Sequence, residues 1–274
     1  MKILTHIETM SKISIIFQLI KKSIFKPRLI LELAQEKAEV DEDQKYKTHQ
    51  YEYDFNSIEE YFQTEFPDVD IQNFEKELSD IDEYAENFLK KLEKKTYPSK
   101  EKPYPTDYSI SSDSRKFLYL LCRIVQPRNI IETGVAYGLS SLYILSAMNK
   151  NNSGNLYSID SIFRPWQSKE MIGAIIPEKL QKRWKLILGK SNLELDKLFN
   201  KIDDVEIFIH DSLHTYKNMT FEFDCAINKI NKNGIIISDD ILDNDAFYNF
   251  TKNKKRKKYV VKVNNVAIGL IQNN

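Results

Sequence analysis

From about residue 105 the chain alternates between short apolar blocks and longer mixed ones. The apolar runs "NIIETG", "NLYSID", "WKLILG", "VEIFIHD" and "GIIISDD" begin at Asn129, Asn155, Trp184, Val205 and Gly234, and each closes on Gly or Asp. Runs this short and this apolar predict strands buried on both faces. The stretches between them, 138–149, 177–183, 191–200 and 216–231, have apolar positions at helical spacing. Strands separated by helices predict βαβ units and a parallel sheet covered on both sides. The final "YVVKVNNVAIGLI" is two apolar runs joined at Asn264–Asn265, which predicts an antiparallel hairpin at one edge. The expected fold class is α/β, a doubly wound, mostly parallel sheet.

The first hundred residues differ, having no glycine at all. Apolar spacings of three and four predict helices there, including a stripe of Phe74, Leu78, Ile81, Tyr84, Phe88 and Leu92. The proline-bearing "TYPSKEKPYPTDYSISSDS" reads as a linker. The boundary therefore falls between an N-terminal mainly helical region, 1–105, and a sheet domain, 106–274. Residues 11–25 predict an amphipathic helix: Ile13, Ile16, Phe17 and Ile20 share a face, with Lys12, Lys21, Lys22 and Lys26 nearby. Such a helix suits packing on the domain, on a second subunit, or against a membrane surface.

Composition narrows the classes. The chain is 42% hydrophobic, enough to close a core. Forty basic residues against 40 acidic ones give no overall charge, so nucleic acid is not an expected partner. The charges are nevertheless segregated: residues 36–95 hold 19 Asp/Glu against eight Lys, and 252–262 hold seven Lys/Arg and no acid. Two distant cysteines exclude a disulfide framework and a zinc cluster, and a reducing, cytoplasmic setting is expected. No apolar run approaches the roughly 20 residues that span a bilayer.

Ligands of such sheets bind beyond the carboxyl ends of the strands, here "ETGVAYG", "SID", "LGKS", "HDSLH" and "SDD". Gly134 and Gly138, two of only seven glycines, follow the first of these strands. They permit a sharp turn and close backbone approach. Val135 and Ala136 break the dinucleotide pattern G-x-G-x-x-G, and no phosphate-loop Lys-Ser/Thr is present. Glu132, just before the turn, suits a cationic ligand better than a pyrophosphate. Asp160 ends the second strand, where an acid can accept both ribose hydroxyls of a nucleoside or simply cap a helix. Asp211, Asp239 and Asp240 end the fourth and fifth strands. Carboxylates converging there would repel unless a hard cation such as Mg²⁺ lies among them, or else only Asp240 is functional. His214, three residues past Asp211, is placed to act as a general base; His210, in an apolar strand, reads as a core residue.

Together "IIETGVAYGLSSLYIL", "LYSID", "RWKLILGKS", "IFIHDSLHTYKNMTFEF" and "GIIISDDILDNDAF" resemble the class I S-adenosylmethionine-dependent methyltransferases. The resemblance is nearest to the branch with Asp-x-x-His after the fourth strand and paired acids after the fifth, which includes macrolide-sugar and other small-molecule O-methyltransferases. It covers about residues 112–274. It implies a seven-stranded sheet of order 3-2-1-4-5-7-6 and methyl transfer from S-adenosylmethionine to a hydroxyl of a small-molecule acceptor. It implies Glu132, Gly134 and Gly138 at the methionine half of the cofactor, Asp160 at the ribose and Ser191 at the adenine. It implies Asp211, Asp239 and Asp240 at Mg²⁺, with His214 and Asp211 catalytic. Lys190 stands where the family often has an acid beside the serine, and Asp239 where it commonly has Glu. A nicotinamide oxidoreductase and a non-catalytic binding module of the same fold are the rival readings. Residues 161–180, with Arg164 and Trp166, and the N-terminal region are expected to shape the acceptor pocket.

Overall fold

The computed structural model describes residues 27–47, 51–106, 110–252, 256–263 and 266–273. The segment 11–25 and the hairpin tip Asn264–Asn265 lie outside the described residues. Eight strands form one sheet: β1 (Phe55–Asn56), β2 (Asn129–Thr133), β3 (Asn155–Asp160), β4 (Trp184–Leu188), β5 (Val205–His210), β6 (Ile235–Ser238), β7 (Lys258–Val263) and β8 (Val266–Gln272). Their order is β1-β7-β8-β6-β5-β2-β3-β4. Without β1 this is the expected 3-2-1-4-5-7-6 arrangement. β6–β8 and β7–β8 are antiparallel and every other pair is parallel. The eighth strand is an addition from the N-terminal region, pairing Phe55 and Asn56 with Val260 and Val261. Two residues between polar neighbours carry no strand pattern, so only the exposed edge of β7 creates it.

Ten helices are described: α1 (Pro27–Tyr46), α2 (Ile58–Glu65), α3 (Gln72–Glu75), α4 (Ser79–Glu93), α5 (Ser112–Val125), α6 (Leu139–Lys150), α7 (Glu178–Gln181), α8 (Ser191–Phe199), α9 (Tyr216–Ile227) and α10 (Ala246–Thr251). The two-residue period of the strands divides the core. Ile130, Ile207, Ile209, Ile235 and Ile237 pack on one face with α5 and α6; Ile131, Phe208 and Ile236 pack on the other with α8, α9 and α10. Ile58, Tyr61, Phe62, Leu78 and Ala85, all N-terminal to residue 105, enter the first of these cores. Among the described residues no helix is long and apolar enough to cross a membrane.

Register sets the site. Thr133 lies opposite Ile159 and His210, and His210 opposite Ser238. The next residue of each strand therefore emerges at one level: Gly134, Asp160, Asp211 and Asp239. Backbone bonds Gly134 N–H to Ile159 O, Asp211 N–H to Thr133 O and Asp239 N–H to His210 O hold this rim together.

Candidate active site

The rim opens into a cleft of about 990 Å³ lined by residues following β2, β3, β4, β5 and β6 and roofed by α1. Gly134, at φ +84°, passes so close to the β5 end that a Cβ would fall 1.8 Å from the Asp211 carbonyl oxygen. Asp160 closes the turn beside it. Its Oδ2 accepts the Val135 and Ala136 N–H groups at 3.1 and 2.9 Å, and its Oδ1 accepts the Ser161 N–H at 2.5 Å. Burial raises the Asp160 pKa against these donors, which oppose the rise. Ser191, at the start of α8, also lines the cleft, its hydroxyl bonded to Asn218 Oδ1 at 3.2 Å.

Two residues expected at the cofactor lie elsewhere. Glu132 is fully buried and outside the cleft lining. Its oxygens accept the Ser140, Ser141 and Ser158 hydroxyls at 2.5, 2.7 and 2.8 Å. It shares the face of Ile130, so its side chain points under the first turn of α6 rather than to the rim. Burial pushes its pKa up, with the three hydroxyls opposing. Gly138, at φ +87°, caps α6 and gives its missing Cβ space to Gly173, whose Cα would be 2.8 Å away. It packs the 161–177 segment rather than lining the cleft. Trp166 is likewise buried, donating its Nε1–H to Pro103 O at 3.0 Å.

Across the cleft from Asp160, the β5 and β6 ends place acids around His214. Its Nδ1 is 3.3 Å from Asp240 Oδ2 and its Nε2 is 3.8 Å from Asp211 Oδ1. Asp211 and His214 keep 23% and 21% of their side-chain surface, and both line the cleft. Burial, then repulsion from Asp239, raises Asp211 well above the usual carboxylate range. Burial and Asp240 push Asp239 up to about 7; burial and Asp243 push Asp240 up to about 6. Burial, with His210 adding, lowers His214 to about 3, so its ring is neutral near pH 7.

Residues 131–241 match the family model of a methyltransferase domain. The fold is shared with solved proteins of low sequence identity. The SAH-bound methyltransferase PaMTH1 of Podospora anserina is 15% identical, with 70% of this chain and 96% of that chain covered at a TM-score of 0.51. The O-methyltransferase TomG of Streptomyces achromogenes, solved with SAM, is also 15% identical, covering 61% of this chain and 82% of that one at 0.52. No curated protein sequence matches the chain.

The matched span contains a buried pair beneath the site. His210 Nδ1 lies 2.7 Å from Glu222 Oε2, both side chains being fully buried. Glu222 also accepts from Thr133 Oγ1 at 2.6 Å, Ser212 Oγ at 2.8 Å and Asn218 Nδ2 at 3.1 Å. Burial raises Glu222, but His210 and the hydroxyl donors win and bring it down to about 2. It is a residue that sequence reasoning missed. The available signal was an acid between Met219 and Phe223 on an otherwise buried helix face.

Asp239 Oδ1 is buried without a hydrogen-bond partner, which a cation could supply. However, Asp211, Asp239 and Asp240 do not form a compact set. Among the described residues, the ligand atoms lying within 4.8 Å of one another belong to His214, Asp240 and Asp243. Asp240 takes φ +48°, and Asp239 donates its N–H to His210 O, continuing the strand.

A pH effect follows. Raised carboxylate pKa values mean that the folded state binds more protons than the unfolded one between about pH 4 and 7. Stability from these groups is present below that window and lost as pH rises through it. The lowered His214 acts oppositely between about pH 3 and 6.5, but one imidazole faces several carboxylates. The melting temperature should fall from pH 6 to 8, by roughly 2–4 °C for each kcal/mol lost, and Mg²⁺ at pH 8 should restore part of it. A midpoint flat across this range by calorimetry would contradict the clustered carboxylates.

Proposed function

We propose that the protein transfers a methyl group from S-adenosylmethionine to a hydroxyl of a small molecule, with His214 as the base. The observation that carries this reading is one cleft with two chemically distinct ends: the Gly134–Asp160 turn on one side, and His214 among acids on the other. The methyltransferase-domain match and the fold shared with SAH- and SAM-bound proteins support it.

A bound S-adenosylmethionine supplies a methyl group on an activated, positively charged sulfur, so no covalent nucleophile is asked of the protein. Asp160 holds the glycine turn shut by accepting three backbone N–H groups, which leaves one of its roughly four lone-pair sites for a ribose hydroxyl. Gly134 keeps the turn free of a side chain. The neutral His214 ring lines the cleft and would take the hydroxyl proton; its Nδ1 lies 3.3 Å from Asp240 Oδ2, and its Nε2 is buried without a hydrogen-bond partner. Asp240 and Asp243 would hold a divalent cation beside that ring, with Asp211 and Asp239 adding negative charge. Its contribution would be to lower the hydroxyl pKa.

Calorimetric titration separates the readings. S-adenosylhomocysteine should bind and NAD should not. Asp160→Asn should weaken S-adenosylhomocysteine by about tenfold or more, since a hydrogen bond to a charged group is worth about 1.5–3 kcal/mol. NAD binding without S-adenosylhomocysteine binding would replace this proposal with the oxidoreductase. S-adenosylhomocysteine binding without turnover on any hydroxylated acceptor would leave a binding module.

A further inference from the structure

The inner face of α1 is made mostly of carboxylates. Of residues 31–45 none is buried, and the half-buried positions are Glu32, Leu33, Glu36, Glu39 and Asp43. The four acids recur at intervals of four, three and four, the spacing of a helix seam that is ordinarily apolar. Leu33 is the one half-buried apolar residue among residues 31–45; Leu31 is 70% exposed, and Val40, at the cleft edge, 40%. Among residues 31–45, hydrophobic burial therefore contributes little to holding α1 in place.

Polar clasps hold it instead, reaching segments beyond three strands of the cleft. Glu36 Oε1 is 3.3 Å from Arg164 Nη2, after β3. Glu32 Oε2 is 3.1 Å from Lys190 Nζ, after β4. Glu39 is 3.1 Å from Lys217 Nζ and accepts the Thr215 hydroxyl at 3.3 Å, after β5. Asp43 accepts the Tyr216 N–H at 2.6 Å, so the last two acids meet the N-terminus of α9. Lys190, the departure from the resembled family noted above, is thus an anchor for this helix. Glu32, Glu36, Glu39 and Asp43 all line the cleft as its roof.

We propose that α1 is a releasable lid: electrostatic clasps hold it over the cleft, and it must lift for ligands to enter or leave. Partly exposed ion pairs are individually weak and screened by salt. A helix held by several of them is closed at rest and opens without disturbing the core. The proposal depends on the cleft and not on which cofactor fills it.

The test reads access to the cleft. Ser161 lines it. In the full chain with Cys225→Ser, so that the remaining native thiol is the buried Cys122, Ser161→Cys is labelled with a bulky maleimide. Glu36→Arg should speed labelling about two- to fivefold, the worth of one exposed pair. Glu36→Arg with Arg164→Glu should bring it back toward the starting rate. Glu32→Lys, Glu36→Lys and Glu39→Lys together should speed it about tenfold or more. Raising NaCl to 1 M should accelerate labelling with α1 unaltered and have little effect on the triple variant. Rates that ignore both salt and charge reversal would overturn the lid, as would failure of the charge swap to rescue. The salt titration uses unaltered α1, so misfolding of a reversed variant does not remove the test. If S-adenosylhomocysteine fails to bind while labelling behaves as described, the cofactor reading fails and the lid stands.

Discussion

Replacing His214 with alanine should lower the maximal rate of methyl transfer by about 10²–10⁴-fold, the usual worth of a positioned base. S-adenosylhomocysteine affinity should change little, because His214 lies across the cleft from the Asp160 turn. The acceptor is to be found by screening hydroxylated compounds with labelled S-adenosylmethionine. The wild-type rate should rise with pH as the acids around His214 ionise. Asp240→Asn should retain part of the rate, since the amide keeps the size and shape of a side chain that lies 3.3 Å from Nδ1 in the native pair and removes only its charge. Full activity in His214→Ala would remove protein-assisted deprotonation from the mechanism. A parallel loss of S-adenosylhomocysteine binding would instead mark a folding defect in the 211–216 loop.

Gly134→Ala should cost about 3 kcal/mol or more in urea unfolding, among the largest effects expected of a single methyl group. The added carbon has nowhere to go: 1.8 Å away is the Asp211 carbonyl oxygen, itself pinned by the Asp211 N–H bond to Thr133 O. The positive φ adds backbone strain. Gly189→Ala is the control. Its Cβ would first meet Glu194 Cγ at 2.5 Å, a side-chain atom that a rotamer change can shift rather than a backbone atom, and its φ is not in the left-handed region. It should cost about 1 kcal/mol or less. Equal losses at the two positions would show that the close approach of β2 and β5 is not what Gly134 serves.

The five parallel strands were legible because each is a short apolar run closed by Gly or Asp, and four of their five starts match the structure to the residue. Helix α9 was legible in outline, but it ends at Ile227 rather than 231. Beyond Ile227 the apolar period continues, while Asn231 turns to donate its N–H to Val205 O. The stripe from Phe74 to Leu92 is divided between α3 and α4, although Leu78, Ile81 and Phe88 still face the core. Glu132 was read as a ligand contact from its place near a strand end. Face parity and the serines of α6, eight and nine residues later, make it an internal anchor for the turn.

Local pattern was enough for the order of strands and helices, and for Gly134, Asp160, Asp211, His214 and Asp240 as residues facing one cleft. Each lies at a strand end or within a few residues beyond one, and the ends of adjoining parallel strands share a rim whatever the details of packing. Which carboxylates actually meet was settled by tertiary geometry. Asp240, in the left-handed region, brings its side chain together with those of His214 and Asp243. The roof was settled in the same way. Along the chain, Glu32, Glu36, Glu39 and Asp43 look like any solvated acidic face. Their partners Arg164, Lys190 and Lys217 stand more than a hundred residues away, and only the folded sheet brings those strand ends together beneath the helix.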